Sequence, residues 1–134
     1  MGSFQYIRDN ERAIYRDRAR KRELLLNAEN GPIMRRVDGP TKLARAKMLG
    51  YHAKPGYAVV RIRVAKGSFR RPRPVHARRP SKTGIYFNLA NSKQRVAELR
   101  AARAHSNMDI VGSYFLIENG QYKWFEVIMK DRAL

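Results

Sequence analysis

SYFLIENGQYKWFEVIMKD (113–131) is the stretch on which the fold turns. Two apolar runs flank Asn119-Gly120, the residue pair preferred in type I′ turns because both central positions of that turn take positive φ. The pattern predicts a β-hairpin, and a two-residue loop sets its register. Ile117 then faces Tyr122, Phe115 faces Trp124 and Val111 faces Ile128, while Tyr114 meets Phe125 and Ile110 meets Met129 on the opposite face. Both faces are largely apolar, so both require cover. Gly112 within the first strand marks a bulge or a close backbone approach. Tyr114, Phe115, Trp124 and Phe125 are read as sheet packing.

Working upstream, Ser92 caps a helix over about 93–105, with Val96, Leu99 and Ala102 on one side and Ala97 and Ala101 beside them. Before it, YAVVRIRVAKG (57–67) alternates: Ala58, Val60, Ile62 and Val64 face one way, and Tyr57, Val59, Arg61 and Arg63 the other. One face packs and the other ends in guanidinium. Ile33 to Val37 predicts a short strand closed by Asp38-Gly39-Pro40. Thr41 caps a brief helix over Lys42–Leu49, and Gly50 stands where a left-handed C-cap belongs. Residues 4–28 predict one long charged helix, N-capped by Ser3 and stopped by Asn30-Gly31-Pro32. It has too little apolar surface to pack entirely on a core; Leu24, Leu25 and Leu26 anchor its far end.

The order defines an α+β protein: a mainly antiparallel four-stranded sheet (β-α-β-α-β-β) between helical layers, with a long basic N-terminal helix and an extended Arg/Pro-rich loop. The chain reads as a single domain, 1–134. Its parts are a basic helix (1–30), a first sheet half (33–66), the loop (67–91), and a helix plus hairpin (92–131).

Charge says what this scaffold meets. Residues 39–97 contain no Asp or Glu but fifteen Lys and Arg. The whole chain has 29 basic residues against 11 acidic ones, a formal charge of +18. Surfaces tuned for solubility mix both signs, because unrelieved like charge opposes compaction. A polyanion must supply the missing negative charge, and nucleic acid is the first reading. FRRPRPVHARRPSK (69–82) is its strongest signal. Arginine presents a planar fork of donors to phosphate oxygens, and proline keeps the backbone extended enough to follow a groove. Tyr51, His52, Tyr57, Phe69, Tyr86 and Phe87 interleave with the charge, although each taken singly is more often packed than stacked on a base.

Other classes find little support. There is no cysteine, so disulfides, thiolate metal sites and Cys nucleophiles are excluded. His52, His76 and His105 are scattered without ligand spacing, and no Walker-type loop is present. No apolar run approaches the roughly 20 residues that span a bilayer, and the N-terminus lacks the apolar core of a signal peptide. The expectation is an intracellular protein that is not an enzyme, with no cofactor, no metal, no small-molecule substrate and no membrane partner.

PTKLARAKMLGYHAKPGYAVVRIRVAKG (40–67), the arginine–proline run after it and the 113–131 hairpin resemble one family, as do Gly2, Tyr6, Ile7, Arg8 and RVAELRAAR (95–103). It is the archaeal and eukaryotic large-subunit ribosomal protein family L-fifteen-e, unrelated to the bacterial protein of the same number. The resemblance runs through nearly the whole chain in matching order, and LGYHAKPGY with YKWFEVI is highly specific. It implies structural binding to large-subunit ribosomal RNA among neighbouring large-subunit ribosomal proteins, on cytoplasmic ribosomes. Family members usually carry two glycines where this chain has Gly67-Ser68, and they continue past YKWFEVI with a basic tail. By position the resemblance implies RNA contacts at Lys42, Arg45, Lys47, Lys54, Arg61, Arg63, Arg70, Arg71, Arg73 and Lys82. The charge pattern itself adds Lys66, Arg78, Arg79, Arg18, Arg20 and Arg22. The competing readings are a free-standing RNA- or DNA-binding architectural or chaperone protein, and a basic protein on acidic membranes. The second is disfavoured because the charges are not gathered on one amphipathic helix with a bulky apolar face.

Overall fold

The computed structural model describes residues 2–79, 81, 84 and 86–133. Its elements in chain order are α1 (Ser3–Arg16), α2 (Arg18–Glu29), β1 (Met34–Val37), α3 (Leu43–Met48), β2 (Tyr57–Ala65), β3 (Phe69–Arg70), β4 (Tyr86–Phe87), α4 (Lys93–Ala104), β5 (Met108–Glu118) and β6 (Tyr122–Asp131). Strands β1, β2, β6 and β5, in that spatial order, form one antiparallel sheet. The α+β architecture expected from the sequence is therefore the one observed.

Alternation along β2 and β6 sorts the core onto two faces. Val60, Ile62, Val64, Phe125, Val127 and Met129 pack against Ala97 and Ala101 of α4. The small alanines let α4 approach closely; Val96 lies only at the margin of this cluster. The predicted apolar side of this helix was thus centred slightly off the face that is buried. Ser92 caps α4 as expected, its hydroxyl accepting from Arg95 N at 3.1 Å. On the other face, Tyr114 and Ile128 meet Ala46 of α3, while Leu116, Ile117 and Trp124 meet Ala28 of α2 with Leu24 and Leu25 alongside. Leu26, the third residue of the expected anchor, is exposed.

Five local expectations are corrected. The single N-terminal helix is two, because Asp17 adopts extended backbone and its carboxylate accepts from Ala19 N at 2.9 Å, capping α2. Aspartate competes for backbone N–H groups in this way, and here the cap outweighs helix continuity. Gly2, not Ser3, occupies the N-cap position of α1. Thr41 does not cap α3: its side chain is drawn to Glu126, and Ala44 N donates instead to a Glu11 carboxylate from α1. Within 67–91, expected to lack regular structure, β3 and β4 pair antiparallel through Phe69↔Phe87 and Arg70↔Tyr86.

The fifth correction is the hairpin register. Asn119 N donates to Tyr122 O and the Asn119 side chain accepts from Gln121 N and Tyr122 N, so the tight connection is Gly120-Gln121. Positive φ among the described residues occurs at Gly50, Gly56, Gly67, His76 and Ala77, which excludes a type I′ turn at 119–120. Ile117 consequently opposes Trp124, Phe115 opposes Phe125 and Tyr114 opposes Glu126. Register shifts between Phe115 and Ile117 and between Ile110 and Gly112 then absorb one residue each. Ile110 therefore meets Met129 after all, as expected from the sequence. Gly112 serves both anticipated roles: it adjoins a bulge, and a Cβ there would lie 3.2 Å from Leu49 Cβ.

Gly50 takes φ +96° at the end of α3, and a Cβ there would lie 3.2 Å from Val111 Cγ1. Gly50→Ala should therefore cost about 1–2 kcal/mol for the left-handed backbone alone, read as a lower urea midpoint with unchanged slope.

Candidate nucleic-acid interface

The few acidic residues are mostly engaged by partners within the chain, although only one of them is buried. Glu126 is fully buried on β6. Register sets it directly between Arg61 of β2 and Tyr114 of β5. Its carboxylate accepts from Thr41 N at 3.0 Å, Thr41 Oγ1 at 2.7 Å, Arg61 Nε at 3.1 Å and Arg61 Nη2 at 2.9 Å, and from the Tyr114 hydroxyl. Burial and the Glu126 charge push ionisation of Tyr114 upward, so its hydroxyl stays a donor. Arg61 also donates to Thr41 Oγ1 at 3.0 Å, closing the network.

Eight of the other ten carboxylates are also engaged within the chain. Glu11 holds Ala44 N, Asp17 caps α2, and Glu29 accepts from Asn119. Glu98 accepts from Ser113 and Arg95, tying α4 to β5. Asp109 meets Arg132, Glu118 meets Lys66 and Lys123, Asp9 meets Arg12, and Asp131 accepts from Ala133 N. With Glu126, nine of the eleven acidic residues hold an internal hydrogen bond or ion pair. The exposed pairs add little stability. Their main effect is to use up the few carboxylates, so that most of the 29 basic residues have no carboxylate to meet.

The expected contact residues divide accordingly. Arg61 has its side chain 14% exposed and its guanidinium held by Glu126, which gives it a structural tie beside the contact expected of it. Arg63 lies with its guanidinium 4.6 Å from the Tyr122 ring centre, and Lys66 meets Glu118 at 3.2 Å. Lys42 is half-buried: its ammonium donates to Phe115 O at 2.7 Å and sits 4.5 Å from the Tyr15 ring centre. Burial lowers its pKa, partly offset by Glu126 and Glu11. Arg18, Arg20 and Arg22 are exposed on α2, with Arg20 3.5 Å from Asp17. Arg45 and Lys47 are exposed on α3, and Lys54 in the loop before β2.

Arg70, Arg71, Arg73, Arg78 and Arg79 are exposed on the arm rising from β3. Arg71 covers the Phe87 ring at 4.6 Å, and a turn at His76-Ala77 brings Arg78 N to Val75 O at 3.5 Å. Lys82 lies outside the described residues. Among the interleaved aromatics, Tyr51 and Tyr57 pack edge-to-face at 6.1 Å over the α3 cluster, which favours their structural reading.

Five further exposed cations, outside the expected set, line two clefts. Arg8, Arg12 and Arg16 line a cleft of about 440 Å³ between α1 and α3 with Lys42 and Arg45. Their spacing of four residues along α1 was the available signal. Arg35 and Arg36 line a second, polar cleft with Asn27 and Asn30, where β1 passes α2. Nothing in the short β1 sequence announced it, because the cleft forms only when α2 packs beside the strand. Among the described residues no group of three or more His, Cys, Asp or Glu could hold a metal ion, and no helix is long and apolar enough to cross a membrane.

An α+β domain with 29 basic residues against 11 acidic ones, most of the latter already paired within the chain, is of the kind whose charge a polyanion would complement. Comparison with protein families gives the particular assignment: residues 2–134 match Ribosomal L15, the L15e family. The chain belongs to that family and is a structural protein of the large ribosomal subunit.

Proposed function

We propose that the exposed cations of α1, α2, α3 and the β3–β4 arm neutralise backbone phosphates of large-subunit ribosomal RNA, and that the chain works as one RNA-binding unit that rigidifies the RNA around it. The observation that carries this reading is the acid-free run from 39 to 97, whose arm arginines are exposed while the chain's few carboxylates are mostly engaged by partners within the chain. Phosphate contacts position a protein without reading sequence, so recognition follows RNA shape and backbone geometry. The arm, exposed along residues 75–79, is suited to reach between RNA helices. Neighbouring large-subunit proteins complete its surroundings.

The test is salt dependence. With about seven cations on phosphates, log affinity should fall against log salt with a slope near −5 to −6, from about −0.7 to −0.9 per contact. Changing Arg70, Arg71, Arg73, Arg78 and Arg79 together to Gln should flatten that slope by roughly three to four units. Thermal unfolding of the free protein should barely move, since these side chains are exposed. An unchanged slope, or a variant that no longer folds, would contradict the mechanism.

A further inference from the structure

We propose that the cleft between α1 and α3 receives a single unstacked nucleotide of RNA, its phosphate on the arginine rim and its base against Tyr15 and Met48. This deepens the RNA-binding reading and rests on it. The cleft is about 440 Å³, within the roughly 300–1,000 Å³ of pockets that enclose small organic groups. Three arginines one turn apart on α1 form one wall, and Lys42 and Arg45 face them. Glu11 is the one acidic residue in the lining, and its carboxylate is already held by Ala44 N. Charge complementarity thus favours an anionic occupant.

Two observations indicate a base as well as a phosphate. Met48 lines the cleft yet is 64% exposed, an apolar side chain awaiting cover. The Tyr15 hydroxyl is buried and has no hydrogen-bond partner among the described residues. Buried polar groups are normally satisfied, and a base edge offers both donors and acceptors. Regular A-form RNA keeps its bases stacked, whereas bulged nucleotides splay out and lie against aromatic rings or guanidinium planes.

The experiment compares two RNA hairpins sharing one stem, one fully paired and one carrying a single bulged adenosine, by fluorescence anisotropy with the full chain at fixed salt. The wild-type protein should bind the bulged hairpin about tenfold more tightly, and a hairpin with an abasic bulge should behave like the paired one. Tyr15→Phe removes only the hydroxyl and should shrink the preference about fivefold. Met48→Glu places a carboxylate in the cleft and should abolish the preference without moving the thermal midpoint. Equal, tight binding of both hairpins by the wild type would overturn the nucleotide site while leaving the RNA-binding reading intact. A full preference retained in Met48→Glu would do the same. Failure to bind either RNA would instead count against the RNA-binding reading itself.

Discussion

Glu126→Ala should destabilise the protein by about 3–5 kcal/mol, the range for breaking a buried ion pair by removing one partner. Global stability of such domains is only about 5–15 kcal/mol, so the loss is a large share of the total. The physical cause is the set of donors left behind. Thr41 N, Thr41 Oγ1, the Arg61 fork and the Tyr114 hydroxyl all converge on this carboxylate. Without it, a largely buried guanidinium loses its counter-charge. Urea unfolding measures the cost, and a double-mutant cycle separates its parts. Arg61→Met with Glu126→Leu should recover the Arg61 share of the loss, because no unpaired guanidinium is left, while Thr41 and the Tyr114 hydroxyl still lack their acceptor. If Arg61 instead served mainly as a phosphate contact, Arg61→Met alone would leave folding untouched and weaken RNA binding.

Trp124→Ala is the second large effect, with an expected cost of about 3–5 kcal/mol for emptying a full aromatic site in the core. Trp124 is 1% exposed and lies between Leu116, Ile117 and Ala28. Its ring meets Tyr122 edge-to-face at 6.1 Å and 64°, an arrangement worth about 0.5–1.5 kcal/mol beyond area burial. This contact replaces the Phe115 pairing expected from the simple hairpin register, but the structural role is the same. Because the cluster fastens α2 to the sheet through Ala28, hydrogen exchange in α2 should accelerate more than in α4, which packs on the opposite face. Unchanged stability with weakened RNA binding would reverse the assignment.

The sequence by itself determined what is local and periodic. Alternation in 57–65 named the buried side of β2, Ser92 fixed the start of α4, and Gly50 fixed the end of α3. The acid-free run named the class of partner, since net charge needs no fold to be counted. Tertiary structure decided what depends on residues distant in the chain. The hairpin register rests on two bulges whose positions no turn preference encodes. The identity of the outward-facing cations depended on where the few carboxylates came to lie. Glu126 reaches 65 residues back to Arg61 and 85 back to Thr41, holding the guanidinium of one and drawing the other from its cap. Its only trace in the sequence was a lone carboxylate inside the largely apolar run YKWFEVI (122–128). A buried charge is costly unless paired and hydrogen-bonded, so that glutamate had to find partners, but only the folded sheet could specify which ones.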